Sequence, residues 1–480
     1  MTGFVDDILN HPPEATAIIT PDHQVSYGEL RNRIVHLAQC LVSDGVHPEQ
    51  VCAIAVPRSV DAVVAMAAVL HAGGAFLTLD LDQPPQRLAT LLGCATHLLT
   101  TSDTGLPFTG PTTLLDQLAP STAPLAAVPP RSLAYVSHTS GSTGTPNAVL
   151  IERRGLDSYL RFLVRDYRLG PDTVAVQLAP LGYDASIRDT FAPLLAGGRL
   201  VLAPRADLLR ANGFAEVIRR YQVNSVLSVT PSFLTFLAQY QGSFDGLRLV
   251  VASGESLRPF LTAGGRELIT GDLVNQYGPT ECTMTSTRHH VPATPDLGAD
   301  HIGDPIHGVT AHLLDEQGNP VPDNAIGEIH LGGIGLARGY ANRPALTADR
   351  FRPDPFGEPG SRRYRTGDLA RRTDNGLEYL GRLDRQVKIR GYRVDPAEVE
   401  SALLTHPAVT GAVLTAATDD RGRVHLVAHL TGDLAATTDA ELRAHLGKTL
   451  PPHLMPRRFA RIDRLPTTST GKTDRKALAR

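Results

Sequence analysis

Four cysteines in 480 residues, Cys40, Cys52, Cys94 and Cys282, share no CxxC spacing and no Cys/His ligand pattern. That argues against structural zinc, and the thiols are expected to be free in a reducing cytoplasm. No apolar run reaches membrane-spanning length, and the start MTGFVDDILNHPPEA lacks the basic and apolar regions of a secretory leader. A formal net charge of −3 gives no footprint for nucleic acid or an anionic membrane. The pairs Arg153-Arg154 and Arg362-Arg363 are expected to be solvated faces. Eighteen histidines form no HExxH, and His289-His290 is expected to be an exposed pair rather than a ligand set.

Residues 133–150, LAYVSHTSGSTGTPNAVL, place a polar loop of three Thr, two Ser and two Gly between two apolar strands, the second beginning near Ala148. The hydroxyls of Thr139, Ser140, Ser142, Thr143 and Thr145 can donate to anionic oxygens, and Gly141 and Gly144 let backbone N–H groups approach closely. A P-loop would close with Gly-Lys-Ser/Thr and run into a helix. This loop runs into a strand instead, so it is a phosphate cradle of another kind or a plain surface turn.

The length calls for two or three domains. Residues 50–57, 59–71 and 74–79 form a strand–helix–strand pattern, and a helix near 214–221 followed by a strand at 225–229 repeats it. The fold class is therefore α/β, a large N-terminal domain (1–383) of doubly wound α/β subdomains. Within it the texture shifts to short strands and turns, predicting a small β-barrel-like subdomain over about 308–380. From Asp384 a small α+β C-terminal domain (384–480) is expected. Its first helix has Asp395 as N-cap, Pro396 as first residue and Glu398 as capping-box partner, and ends before Pro407.

Three further motifs carry chemistry. NQYGPTE (275–281) reads as a turn in which Tyr277 could stack on a purine and Glu281 could hold Mg²⁺ beside phosphates. YRTGDL (364–369) offers Asp368 to vicinal ribose hydroxyls. GRLD (381–384), followed by Lys388 and Arg390, gathers cations at a hinge. Each alone is compatible with an ordinary turn or a solvated charge run.

Together these four resemble the core motifs of adenylate-forming enzymes, most closely the amino-acid adenylation domains of nonribosomal peptide synthetases. VSYGEL (25–30), LHAGGAF (70–76), YDAS (183–186), GEIHLGGIGLARGY (327–340), LPPHLMP (450–456) and STGKTDR (469–475) extend the resemblance over nearly the whole chain. The resemblance implies ATP and Mg²⁺ and two half-reactions: an amino-acid carboxylate attacks the α-phosphorus of ATP, then a phosphopantetheine thiol takes the acyl group. Residue by residue, it implies nucleotide contacts at Thr139, Ser140, Gly141, Ser142, Thr143, Gly144, Tyr277, Thr280, Asp368 and Arg382. Glu281 would hold the metal, and Lys472 would bridge the substrate carboxylate and the phosphate. Rotation at the hinge Asp384 would then withdraw Lys472 and bring the Lys388 face forward, so that one site serves both reactions.

Asp184 would pair with the substrate ammonium; the plain alternative is a helix-start Asp pairing with Arg188 at i+4. The side-chain pocket implied by the motifs comprises Ala185, Arg188, Ser228, Val251, Ser253, Gln276, Met284 and Thr285. Arg188 could read a carboxylate or carbonyl on the substrate, or simply fill the cavity and leave room for something small. A small or polar amino acid is favoured. The chain ends eight residues after Lys472, which implies a phosphopantetheinylated carrier protein loaded in trans; an MbtH-like helper is compatible with the family, although no residue argues for one. The opening loop departs from the family at Pro146-Asn147-Ala148, where Pro-Lys-Gly is usual. An acyl- or aryl-CoA ligase, and an impaired adenylate-binding module motivated by Asn147, are the alternatives.

Overall fold

The computed structural model describes residues 3–141, 145–240, 242, 244–389, 391–419, 424–466 and 474–478. They pack as two compact units, one of residues 1–80, 94–137 and 148–383, the other of residues 81–93, 138–147 and 384–480.

In the first unit, the strand Val51–Ala55, the helix Val60–Ala72 and the strand Ala75–Thr78 form a parallel βαβ unit, with Cys52 opposite Phe76 and Ala53 opposite Leu77. The helix starts where the Ser59 hydroxyl accepts the Ala62 N–H at 3.3 Å and stops at Gly73, left-handed at φ 102°. Apart from Asp61 and His71 it is buried on every side, as its unbroken apolar sequence demands. Its two strands lie centrally in a seven-stranded sheet.

A larger array of fourteen strands, counted among the described residues, carries the remaining motifs. Thr16–Ile19, Arg199–Val201, Val174–Val176, Ser225–Val229, Leu249–Ser253 and Asp272–Tyr277 run parallel to one another. At Thr287–His290 the pairing turns antiparallel and stays so through His301–Pro305, Gly376–Arg382, Arg362–Thr373, Ile326–Gly333 and Val309–Leu314. The β-rich region thus begins earlier than Gly308. It also contains a helix, Pro344–Arg350, and its Gly339–Tyr340 strand joins the other sheet beside Asn147–Glu152.

The arginine pairs are not solvated faces. Arg153 donates to the carbonyls of Leu70, in the last turn of the buried helix, and Gly74, just past it, at 2.8 and 2.6 Å, and burial pulls its guanidinium down to about 10. Arg362 donates to the carbonyls of Arg338 and Ala337, and Arg363 is buried. His289 is half-buried, with its ring 5.3 Å from that of His301.

In the second unit, a hairpin of Val387–Ile389 and Tyr392–Val394 leads to the helix Pro396–Leu404. Asp395 caps that helix by accepting the Ala397 N–H at 3.0 Å. Glu398 is not the reciprocal partner: its buried carboxylate pairs with Arg87, a stronger attraction than one amide N–H offers. Strands Val409–Thr418 and Val424–Gly432 pair antiparallel, Arg458–Arg461 joins parallel, and the helix Asp439–Leu446 opens with a true capping box of Thr438 and Glu441. Val399, Leu403, Leu414, Leu430, Leu442 and Phe459 are among the core residues of this unit. Among the described residues no helix is long and apolar enough to cross a membrane.

Candidate active site

The motif residues of the first unit gather where the parallel strands end. Ser228, Ser253, Gln276 and Tyr277 stand at or next to the carboxyl ends of Ser225–Val229, Leu249–Ser253 and Asp272–Tyr277. Asp184 and Ala185 open the helix Ala185–Leu195 that follows Val174–Val176. The carboxyl ends of parallel strands are where open α/β sheets form ligand crevices.

NQYGPTE is not a simple turn. Its first three residues end a strand, and Thr280–Cys282 is one turn of 3₁₀ helix. The next two residues, Thr283 and Met284, are left-handed at φ 55° and 68°, conformations that cost a non-glycine residue about 1 kcal/mol or more. The Thr283 hydroxyl donates to the Gly335 carbonyl at 2.6 Å and helps to fix this turn. Glu281 is buried and accepts the Tyr340 hydroxyl at 2.8 Å.

Asp368 lies within the long strand Arg362–Thr373, not in a Gly-Asp turn. Pairing steps from Glu328 opposite Leu369 to His330 opposite Arg365, which leaves 366–368 bulged against Ile329 alone. Gly367, at φ 77°, donates its N–H to the Glu328 carboxylate at 2.9 Å. The bulge sets Asp368 among Tyr277, whose hydroxyl donates to Oδ2 at 2.6 Å, Arg382, which donates to Oδ1 at 2.6 Å, and Tyr379, at 3.4 Å from Oδ1. Burial and this carboxylate raise the Tyr277 phenol well above its usual range, so it remains a donor.

On the other side, Asp184 Oδ2 is buried with no hydrogen-bond partner among the described residues. Burial pushes the carboxyl up, while a hydrogen bond from Thr280 and the charge of Arg188 pull it back. Arg188, fully buried, does not pair with it. Its donors go to Ser228 Oγ at 2.9 Å, Tyr159 OH at 3.2 Å, Ser253 Oγ at 3.1 Å and Gln276 Oε1. Val251, Met284 and Thr285 are buried nearby in sequence terms, on the same strand ends and the turn that follows.

In the second unit, the Ser140 hydroxyl donates to the Arg393 carbonyl at 2.8 Å and accepts the Asp395 N–H at 3.1 Å. Thr139 is buried at its strand end. A Cβ on Gly141 would lie 2.0 Å from the Thr145 carbonyl oxygen, so this turn of the loop admits glycine alone. Asn147 begins the following strand. Lys388 stands in the hairpin opposite Arg393, and Asp384 Oδ1 accepts the Gln386 N–H at 3.1 Å. Ser142, Thr143, Gly144 and Lys472 lie outside the described residues.

Sequence reasoning missed the tyrosines. Tyr159, Tyr340 and Tyr379 each bond a motif side chain, yet they lie far apart in the chain. Tyr340 is the last residue of the motif at 327–340. Among the described residues no three His, Cys, Asp or Glu side chains form a metal-binding group. One hard carboxylate, Glu281, fits Mg²⁺ held mainly by phosphate oxygens and water.

The chain matches the family model of AMP-binding enzymes over residues 5–341 and that of the AMP-binding enzyme C-terminal domain over 398–472. It is 40% identical to phosphinothricin tripeptide synthetase PhsC of Streptomyces viridochromogenes, over 99% of this chain and 44% of that protein. It is 36% identical to a dimodular nonribosomal peptide synthase of Bacillus subtilis, over 97% of this chain and 20% of that one. The chain therefore spans less than half the length of these relatives. Among solved structures, holo-PA1221, a synthetase protein with adenylation and PCP domains, matches with a TM-score of 0.85 at 29% identity, over 99% of this chain and 83% of that one. An artificially fused adenylation–PCP di-domain from Klebsiella oxytoca shares the fold with a TM-score of 0.87 at 24% identity, over 95% and 93% of the two chains. The chain belongs to the AMP-binding enzyme family, the adenylate-forming ligases, with nonribosomal peptide synthetases among its relatives.

Proposed function

We propose that this chain activates an amino acid with ATP and passes it to the phosphopantetheine thiol of a carrier protein in natural-product biosynthesis. The observation that carries the reading is Asp184 Oδ2, a buried carboxylate oxygen with no hydrogen-bond partner among the described residues, at the start of the helix Ala185–Leu195. A buried carboxylate calls for a cation, and an α-ammonium is the cation that an amino acid brings.

In the first half-reaction a carboxylate oxygen of the amino acid attacks the α-phosphorus, and the bond to pyrophosphate breaks. In the second, the thiol sulfur attacks the acyl carbon and AMP leaves. Little covalent chemistry falls to the protein in the first step, so positioning and charge neutralisation suffice. Asp368 and Arg382 would hold the ribose side, Tyr277 the adenine, and Thr139 to Gly144 the phosphates. Mg²⁺ on Glu281 would supply charge neutralisation at the phosphate oxygens. Lys472 would bridge carboxylate and phosphate, Lys388 would serve the thiol step, and Asp384 would be the hinge at the start of a mobile C-terminal domain.

Mass spectrometry of a phosphopantetheinylated carrier protein incubated with the enzyme, ATP, Mg²⁺ and mixed amino acids tests this. A mass gain equal to one aminoacyl group is expected. Thioesters formed on free coenzyme A from fatty or aryl acids, with the carrier unloaded, would move the assignment to an acyl- or aryl-CoA ligase. Asn147, standing where the family resemblance leads one to expect lysine, favours a second reading as an impaired adenylate-binding module. ATP binding without any acyl product would support it.

A further inference from the structure

Arg188 heads the fully buried large side chains, and its partners are all neutral. Of a guanidinium's five N–H groups, Nε–H goes to Ser228 and both Nη1 hydrogens are taken by Gln276 and Tyr159, with Thr285 Oγ1 at 3.5 Å. Nη2 gives one to Ser253, which among the described residues leaves a single N–H on that nitrogen. The acceptors come from the helix Arg153–Asp166, three parallel strands and the turn after Glu281, so the group is held from many directions.

The acceptors are themselves fixed. Gln276 turns its amide nitrogen to Tyr167 and takes the Thr285 hydroxyl on Oε1 at 2.9 Å, while the Tyr159 and Thr285 hydroxyls lie 3.0 Å apart. Swinging Arg188 towards a ligand would strand several buried polar groups, each at the cost of its desolvation. Binding a carboxylate in a fork needs two parallel N–H groups on one edge. One remains, beside Ser253, the partner that is not fully buried. Arg188 follows Asp184 at i+4, so the two side chains share one helix face.

We infer that Arg188 is the fixed floor of the side-chain pocket, held by the positioning residues Tyr159 and Gln276, and that the substrate is a neutral amino acid with a small side chain. This rests on the adenylation reading. Hydrogen, methyl or hydroxymethyl fits, and the oxygen of the last can accept the remaining Nη2 N–H. An acidic side chain finds no fork to receive it.

The test is amino-acid-dependent ATP–pyrophosphate exchange with glycine, alanine, serine, valine, leucine, aspartate and glutamate, for the wild type, Arg188→Ala and Tyr159→Phe. The wild type should favour the first three by about tenfold or more, the discrimination that pocket size supplies per methylene. Arg188→Ala should raise kcat/KM for leucine relative to alanine by about tenfold, mostly through KM. Tyr159→Phe should shift the ratio the same way by less, and it decides the matter if Arg188→Ala does not fold. Wild-type preference for aspartate or glutamate overturns the floor and leaves adenylation standing. An equal loss for every amino acid in the folded variants reduces Arg188 and Tyr159 to structural residues and also overturns it. No exchange with any amino acid in the wild type defeats the adenylation reading and the floor with it.

Discussion

Asp184 concentrates the chemistry at the residue scale. Its carboxyl is pushed up by burial, one oxygen has no hydrogen-bond partner among the described residues, and the arginine one helical turn on is committed elsewhere. An ammonium at hydrogen-bond distance would gain about 4 kcal/mol at an intermediate effective dielectric before desolvation is subtracted. Asp184→Asn keeps the shape and removes the charge. It should raise the amino-acid KM in pyrophosphate exchange by about 10²-fold and leave the ATP KM within about twofold of wild type. An unchanged amino-acid KM would remove Asp184 from the substrate site.

At the scale of elements, the bulged strand Arg362–Thr373 depends on Glu328, which accepts the Gly367 N–H and both contacts from Arg365. Burial pushes the Glu328 carboxyl up, but hydrogen bonds from His330 and Arg365 and their charges outweigh it and hold it at about 2, below the ordinary 4.5. A carboxyl depressed on folding contributes stability that is complete above the unfolded value and disappears as pH falls through the folded one. The contribution is on the order of 3 kcal/mol. Glu328→Gln should lower the denaturation midpoint at pH 6, and the gap to wild type should narrow between about pH 4.5 and pH 2. A gap that is constant with pH would show that the carboxylate charge does not hold the bulge.

How much of these elements the sequence revealed depended on locality. Ser59 with the apolar run after it, and Asp395 with Pro396, announce helices because caps and periodicity lie within a few neighbouring residues. The strand 225–229 was equally plain. Glu398 also looked like a cap partner, because its spacing was right; its choice of Arg87 is decided by a residue 311 positions away. Arg153 reads as a surface charge because nothing near it in sequence says that the carbonyls of Leu70 and Gly74 await it. The same holds for the site. Asp184, Glu281 and Asp368 sit in recognisable motifs, whereas Tyr159 matters through a contact between two helices and Tyr379 through a contact set by the register of two paired strands.

At the scale of the whole molecule, two half-reactions are assigned to two lysines on the C-terminal side of Asp384. Lys472→Ala should lose adenylation yet still transfer the acyl group from supplied aminoacyl-adenylate to a carrier thiol. Lys388→Ala should show the opposite bias. Equal loss of both half-reactions in both variants would contradict alternation in this chain. The central claim, that an amino-acid carboxylate is the group activated, is met most directly by isotope exchange between pyrophosphate and ATP with and without amino acids. The account predicts exchange that depends on a small neutral amino acid and vanishes without one; exchange supported by fatty or aryl acids and by no amino acid would contradict it.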